Sequence, residues 1–165
     1  MQNTLIFLVG FMGCGKSTFG RKLAKTLEYS FIDMDTYIEE KAGKTIPQIF
    51  TQNGELHFRQ LETEAITALS KQANCIIATG GGAPCFNANM DKMNAVGKTV
   101  YLELSPQKLA ERLSLDATER PVLEGRSGDE LVGFIASKLK EREVFYQQAH
   151  YIVDADKPED LIAQL

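Results

Sequence analysis

Short β-prone apolar runs alternate along this chain with longer segments whose apolar residues recur at helical spacing. Residues 4–9 are a continuous apolar run and predict a strand. A glycine-rich turn follows. Phe19, Leu23, Ala24 and Leu27 then predict a helix over 17–27. The same reading expects strands at 30–32, 75–79, 99–104 and 151–153, and helices at 36–41, 47–52, 56–71 and 129–148. Ser105-Pro106 opens a further helix, because serine accepts from free backbone amides and proline at the first helical position wastes no hydrogen bond. Pro158 opens a short terminal helix. The stretch 115–129 is polar and carries Pro121, Gly125 and Gly128, which predicts a mobile loop.

Strands alternating with helices imply an α/β fold, a parallel sheet covered by helices on both faces. The 165 residues suit one domain with one sizeable core. Ligands in such sheets bind beyond the carboxyl ends of the strands. Each motif described below directly follows a predicted strand.

Composition narrows the function. Hydrophobic residues make up 44% and charged residues 24%, ordinary for a globular protein. A formal net charge of -4 argues against general nucleic-acid or membrane-surface binding. An anionic ligand then has to be held by a local basic site. The apolar run at 5–9 is far too short to span a bilayer, and no signal-peptide pattern surrounds it. Cys14, Cys75 and Cys85 lack metal-ligand spacing and read as free thiols in a reducing cytoplasm.

Gly10-Phe11-Met12-Gly13-Cys14-Gly15-Lys16-Ser17 matches the GxxxxGK[ST] phosphate loop and sits between a strand and a helix, as that motif requires. Backbone amides in such a loop curl around phosphate oxygens, and the helix N-terminus adds partial positive charge. Lys16 is expected at the β- and γ-phosphates and the Ser17 hydroxyl at Mg²⁺. Four fixed positions in the right context make a ligand-free turn an unconvincing alternative.

Asp33 and Asp35 flank Met34 at the end of the second strand. One suits a site near Mg²⁺, and the other an acceptor hydroxyl that it would orient or deprotonate. The competing reading makes one of them the N-cap of the next helix. An extended chain between them would send the two side chains to opposite sides. Gly80, Gly81 and Gly82 follow the third strand, where three glycines suit backbone that approaches a ligand closely. Arg142 shares the inner stripe of its helix with Ile135, Leu139 and Tyr146, so its charge needs an anionic partner. That partner is a substrate carboxylate, or else Glu62 or Asp35. Taken alone, Arg59 and Arg142 each read as a surface or ion-pair residue. Arg120, in the polar loop, suits a lid that closes over ATP, and Arg112 suits stacking on the base. His57 and His150 read as structural or surface, and Phe58, Phe145 and Tyr146 as core.

Taken together, these segments resemble the shikimate kinase family. The resemblance is carried by residues 10–21, by Phe31-Ile32-Asp33-Met34-Asp35, by Gly54-Glu55 through Phe58-Arg59 and Glu62, by 79–82, by Arg120-Pro121-Val122-Leu123 and by Arg142 through Tyr146. It spans essentially the whole chain. It implies an NMP-kinase-like three-layer sandwich with a five-stranded parallel sheet, a substrate-binding subdomain at about 33–61 and a lid at about 115–128. It implies transfer of the γ-phosphoryl group of ATP to the shikimate 3-hydroxyl, on the route to chorismate and the aromatic amino acids. By position, Gly13, Cys14, Gly15, Lys16, Ser17 and Thr18 would hold ATP, with Arg112 near adenine and Arg120 on the lid. Asp35, Arg59, Gly81, Gly82 and Arg142 would bind shikimate, and Ser17 and Asp33 would hold Mg²⁺. Lys16, Asp35 and Arg120 would be catalytic. Cys14 departs from the family's usual alanine or serine, and Val122 from its usual leucine. A monomer in the cytoplasm is the expected state.

Two other readings compete. A different small-molecule P-loop kinase, such as a gluconate kinase, would also phosphorylate a polyhydroxy carboxylate. The Asp33/Asp35 pair with Arg59 and Arg142 favours shikimate. A nucleotide-binding switch without catalysis is disfavoured by Lys16, Ser17, Asp33 and Arg120, and a guanine-specific NKxD motif is absent.

Overall fold

The structure is a computed structural model, and it describes residues 4–115 and 125–165. Five parallel strands form one sheet in the order β2-β3-β1-β4-β5: β1 (Leu5–Val9), β2 (Ser30–Asp33), β3 (Cys75–Ala78), β4 (Lys98–Glu103) and β5 (Tyr151–Asp154). The helices are α1 (Lys16–Leu27), α2 (Met34–Ala42), α3 (Ile46–Asn53), α4 (Glu55–Leu69), α5 (Asn89–Val96), α6 (Pro106–Leu115) and α7 (Gly128–Tyr146). The α/β expectation therefore holds.

Every residue of β1 and β3 is buried, as continuous apolar runs in a doubly covered sheet should be. Leu8 lies opposite Ala78, and Ala78 opposite Asp33, so the carboxyl ends of β1, β3 and β2 finish level with one another. The Thr79 amide extends the ladder by donating to the Leu8 carbonyl at 3.1 Å. From adjacent β1 and β3 the chain leaves in opposite directions, which opens a crevice between their ends.

Local chemistry sets the helix ends. Asp33 caps α2, accepting from the amides of Asp35 and Thr36, and α3 opens with a reciprocal capping box between Thr45 and Gln48. The Ser105 hydroxyl accepts from the Lys108 amide at the start of α6. Three sequence expectations need correction. The sequence does not announce helix α5, because Met90 and Met93 are its only buried apolar residues, beside buried Asn89, and two apolar positions make no readable period. The segment opened by Pro158 is a four-residue 3₁₀ turn, Pro158–Leu161. The chain is also not extended between Asp33 and Asp35: helix α2 begins at Met34, two residues earlier than the expected start at 36.

Candidate active site

The crevice beyond β1, β2 and β3 is a cleft of about 510 Å³, bordered among others by Lys16, Ser17, Asp33, Asp35, Gly81 and Arg112. Gly13 and Thr18 line it as well. The phosphate loop forms its floor. Gly13 at φ 83° and Gly15 at φ 97° take left-handed conformations that carry the chain round into α1. Cys14 is buried, and its amide donates to the Phe11 carbonyl at 3.2 Å. Lys16 lies across the loop, with Nζ donating to the carbonyls of Gly10 at 2.6 Å and Phe11 at 3.0 Å. A Lys16 cation and the free amides of the helix start thus share one end of the cleft.

Asp33 is the N-cap that the sequence offered, and its second oxygen faces the phosphate loop. Its Oδ1 caps α2, and its Oδ2 accepts from the Ser17 hydroxyl at 2.5 Å. The Ser17–Asp33 pair offers two hard oxygens beside the phosphate floor, a donor set that fits Mg²⁺. No three His, Cys, Asp or Glu side chains cluster as a self-sufficient metal cage among the described residues.

Asp35, one helical step further, points elsewhere, toward the glycine triplet. A Cβ added at Gly80 would lie 3.0 Å from Asp35 Oδ1 and 2.6 Å from Glu62 Oε2. One added at Gly82 would lie 2.5 Å from Arg59 Nη1, and one at Gly81 would lie 3.5 Å from Arg142 Nη1. Gly80 and Gly82 are therefore glycine because Glu62, Asp35 and Arg59 close in on the backbone and a side chain would displace them, while at Gly81 the tight neighbour is the Met12 amide at 3.1 Å.

Arg59 is buried and paired on its own helix, with Glu62 at 2.6 Å and with Glu55 at 3.1 Å. Its ring neighbour is Phe86, 4.4 Å from the guanidinium carbon. Arg142 is buried over the Phe11 ring, and among the described residues its Nη1 has no hydrogen-bond partner. The two arginines thus differ: Arg59 has the glutamate partner that the sequence offered as one alternative, and Arg142 presents an unused donor. Burial pushes the Glu62 carboxyl up to about 7; Arg59 opposes this, Asp35 adds to it and Arg142 opposes it.

Sequence reasoning passed over three contributors. In the sequence Glu62 reads as a partner for an arginine and as part of a motif that carries the resemblance, with no role of its own at the site. Tyr146 was read as core, and its ring is fully buried against Tyr101, but its hydroxyl also donates to the Gly81 carbonyl. Asp156 was not singled out; it holds Arg112 at 3.0 Å, while the other arm of Arg112 donates to the Cys14 carbonyl. Arg112 therefore bridges the phosphate loop and the turn after β5. His57 is exposed and His150 accepts from the Thr99 amide, both away from the cleft. All three cysteines are free. Arg120 and residues 116–124 of the expected lid lie outside the described residues.

Since Arg59 is pinned by two carboxylates, it has little room to yield. Replacing Gly82 with alanine is expected to raise KM for the acceptor about tenfold or more while moving KM for ATP little, because the new methyl displaces the guanidinium. Steady-state kinetics with each substrate varied in turn checks this.

A phosphate loop on a five-stranded parallel sheet, with carboxylates and arginines gathered at the ends of β1, β2 and β3, defines a P-loop phosphotransferase of the NMP-kinase-like class. Within that class the chain belongs to the shikimate kinase family, whose model matches residues 12–164. The shikimate kinase of Bacteroides thetaiotaomicron is 48% identical over 155 residues, covering 94% of this chain and 89% of that one. The crystal structure of a shikimate kinase from the same organism superposes with a TM-score of 0.89 at 47% identity, covering 93% of this chain and 87% of that one. A shikimate kinase from Acinetobacter baumannii in complex with shikimate gives a TM-score of 0.87 at 34% identity, over 99% of this chain and 94% of that one.

Proposed function

We propose that this chain is a shikimate kinase, transferring the γ-phosphoryl group of ATP to the 3-hydroxyl of shikimate to give shikimate 3-phosphate and ADP. The observation that carries the reading is the convergence of Asp35, Glu62, Arg59 and Arg142 on the glycine triplet, beside the phosphate loop. That arrangement offers a carboxylate subsite and a hydroxyl subsite to one small acid, next to a phosphate floor. A family model of shikimate kinase spanning residues 12–164 favours shikimate over gluconate as that acid.

In this reading the amides of Gly13, Cys14, Gly15, Lys16, Ser17 and Thr18 hold the ATP phosphates, and Arg112 faces adenine. Arg142 Nη1 and the Arg59 guanidinium take the shikimate carboxylate, and the backbone of Gly81 and Gly82 fits closely against the ring. Asp35 accepts from the attacking hydroxyl and fixes its line toward the phosphorus. Lys16 and Arg120 neutralise charge on the phosphoryl group in flight. Ser17 and Asp33 would hold Mg²⁺, which supplies charge neutralisation on the phosphates when bound. Catalysis is then mostly positioning and electrostatics, as a loose phosphoryl-transfer transition state demands. Action as a monomer in the cytoplasm completes the proposal. No helix among the described residues is long and apolar enough to cross a membrane.

The test is ADP release from MgATP with shikimate, gluconate, quinate or no acceptor. Strong dependence on shikimate alone is expected; equal release with gluconate would overturn the acceptor assignment. Under the same assay Arg142→Ala should raise KM for shikimate about 30-fold or more, since losing one partner of a buried charge pair costs about 2–5 kcal/mol. An unchanged KM would remove Arg142 from the carboxylate subsite.

A further inference from the structure

The charges gathered around the glycine triplet nearly cancel before any substrate arrives. Arg59 and Arg142 are the buried cations, and buried Glu62 and partly buried Asp35 are the anions that face them. Glu55 also contacts Arg59, but it is half-exposed at the rim, where solvent screens it. The thiol of Cys85, on the 3₁₀ turn after the triplet, faces the same groups and stays neutral, burial having pushed it up to about 11. An acid substrate adds a negative charge to this set, against Arg59, Glu62 and Arg142, which are all buried. Something must offset it.

Glu62 is placed to do so. It is almost fully buried, with one oxygen committed to Arg59 at 2.6 Å. The other, Oε2, is buried, has no hydrogen-bond partner among the described residues, and aims at Gly80 beside Asp35. An ionised carboxylate is poorly served in that position, and a protonated one gains a donor that faces the site.

We infer that Glu62 balances the charge of the substrate: as the substrate carboxylate enters between Arg59 and Arg142, Glu62 takes up one proton from solvent and presents its Oε2–H to the acceptor side of the site. The carboxylate draws on the same arginines that hold Glu62 ionised, so binding weakens that hold. Glu62 stands between its two protonation states near neutral pH before binding, and the added anion moves it to the protonated one. The sign follows from linkage. Binding that takes up a proton tightens as pH falls, and above about pH 7 affinity for shikimate drops by up to about tenfold per pH unit. Well below that pH Glu62 is already protonated and the dependence flattens.

The inference rests on the shikimate reading above, and titration calorimetry separates the two. Shikimate is titrated into the whole protein at about pH 7.5 in phosphate and in Tris, whose ionisation heats differ. A buffer-dependent enthalpy corresponding to uptake of about half a proton or more is expected. In Glu62→Gln the uptake should vanish and the pH slope of affinity should flatten. Should that variant fail to fold, the carboxyl ¹³C resonance of Glu62 in wild-type protein should move toward its protonated position when shikimate is added. Shikimate binding with no buffer dependence, uptake that persists in Glu62→Gln, or a ¹³C resonance that stays still would each overturn the inference and leave the kinase reading intact. A role confined to anchoring Arg59 predicts the first and the third of these results. No shikimate binding at all would overturn both.

Discussion

Replacing Lys16 with alanine is expected to lower kcat by about 10²–10³-fold, the usual cost of removing a preorganised charge donor from a reacting centre. Lys16 is the one residue of the phosphate loop that brings a full positive charge, and it is largely buried, where that charge is poorly screened. Its Nζ rests on the carbonyls of Gly10 and Phe11, within the loop that would wrap the phosphates. Other contacts also hold the loop's shape. The left-handed turns at Gly13 and Gly15, the bond from the Cys14 amide to Phe11 and the brace from Arg112 to the Cys14 carbonyl all remain in the variant. ATP should therefore still bind, measurably weakened, while turnover collapses. Arginine should not rescue, because its larger planar guanidinium does not reproduce a compact ammonium in that space. ADP-release kinetics beside calorimetric ATP binding checks both halves; a kcat within tenfold of wild type would remove Lys16 from the transition state.

Much of this was legible in the chain itself, for identifiable reasons. β1 and β3 are uninterrupted apolar runs because both faces of the sheet are covered, and the phosphate loop needs its glycines at fixed places, so strand, loop and helix announced themselves together. Helix α5 gave no such signal, since its buried apolar residues are two methionines, beside a buried asparagine. At the site, residue types were readable and partners were not. The aspartate pair looked like an extended dipeptide, whereas Asp33 caps a helix that already contains Asp35; the cap rotates Asp35 away from Ser17 and toward the glycine triplet. Glu62 reads as an ordinary helical carboxylate three residues after an arginine. Only the packing of α4 against the rest of the site makes it a buried, half-satisfied acid. Asp156 was invisible for a similar reason: its contact with Arg112 joins residues 44 positions apart.

Asp35→Asn should prove comparably damaging, with kcat reduced by about 10²-fold or more, within the 10²–10⁴ range of positioned general bases. The substitution keeps shape and removes charge, so it separates orientation from proton acceptance. In a loose transition state the hydroxyl keeps its proton until late, which places much of Asp35's contribution in aiming the nucleophile. An amide can still accept a hydrogen bond, and KM for shikimate should therefore change less than kcat. The variant also bears on Glu62. Asp35 is one of the two charges nearest Gly80, and as an anion it raises the Glu62 carboxyl. Removing that charge leaves Glu62 with its two arginines and lets it ionise at lower pH. Shikimate affinity in Asp35→Asn should then begin to fall at a lower pH than in wild type. A kcat loss with an unmoved pH dependence would confirm Asp35 as the orienting group while uncoupling it from Glu62. A normal kcat would show that the hydroxyl is aimed by other groups, and the backbone of the glycine triplet would then be the part of the site left to do it.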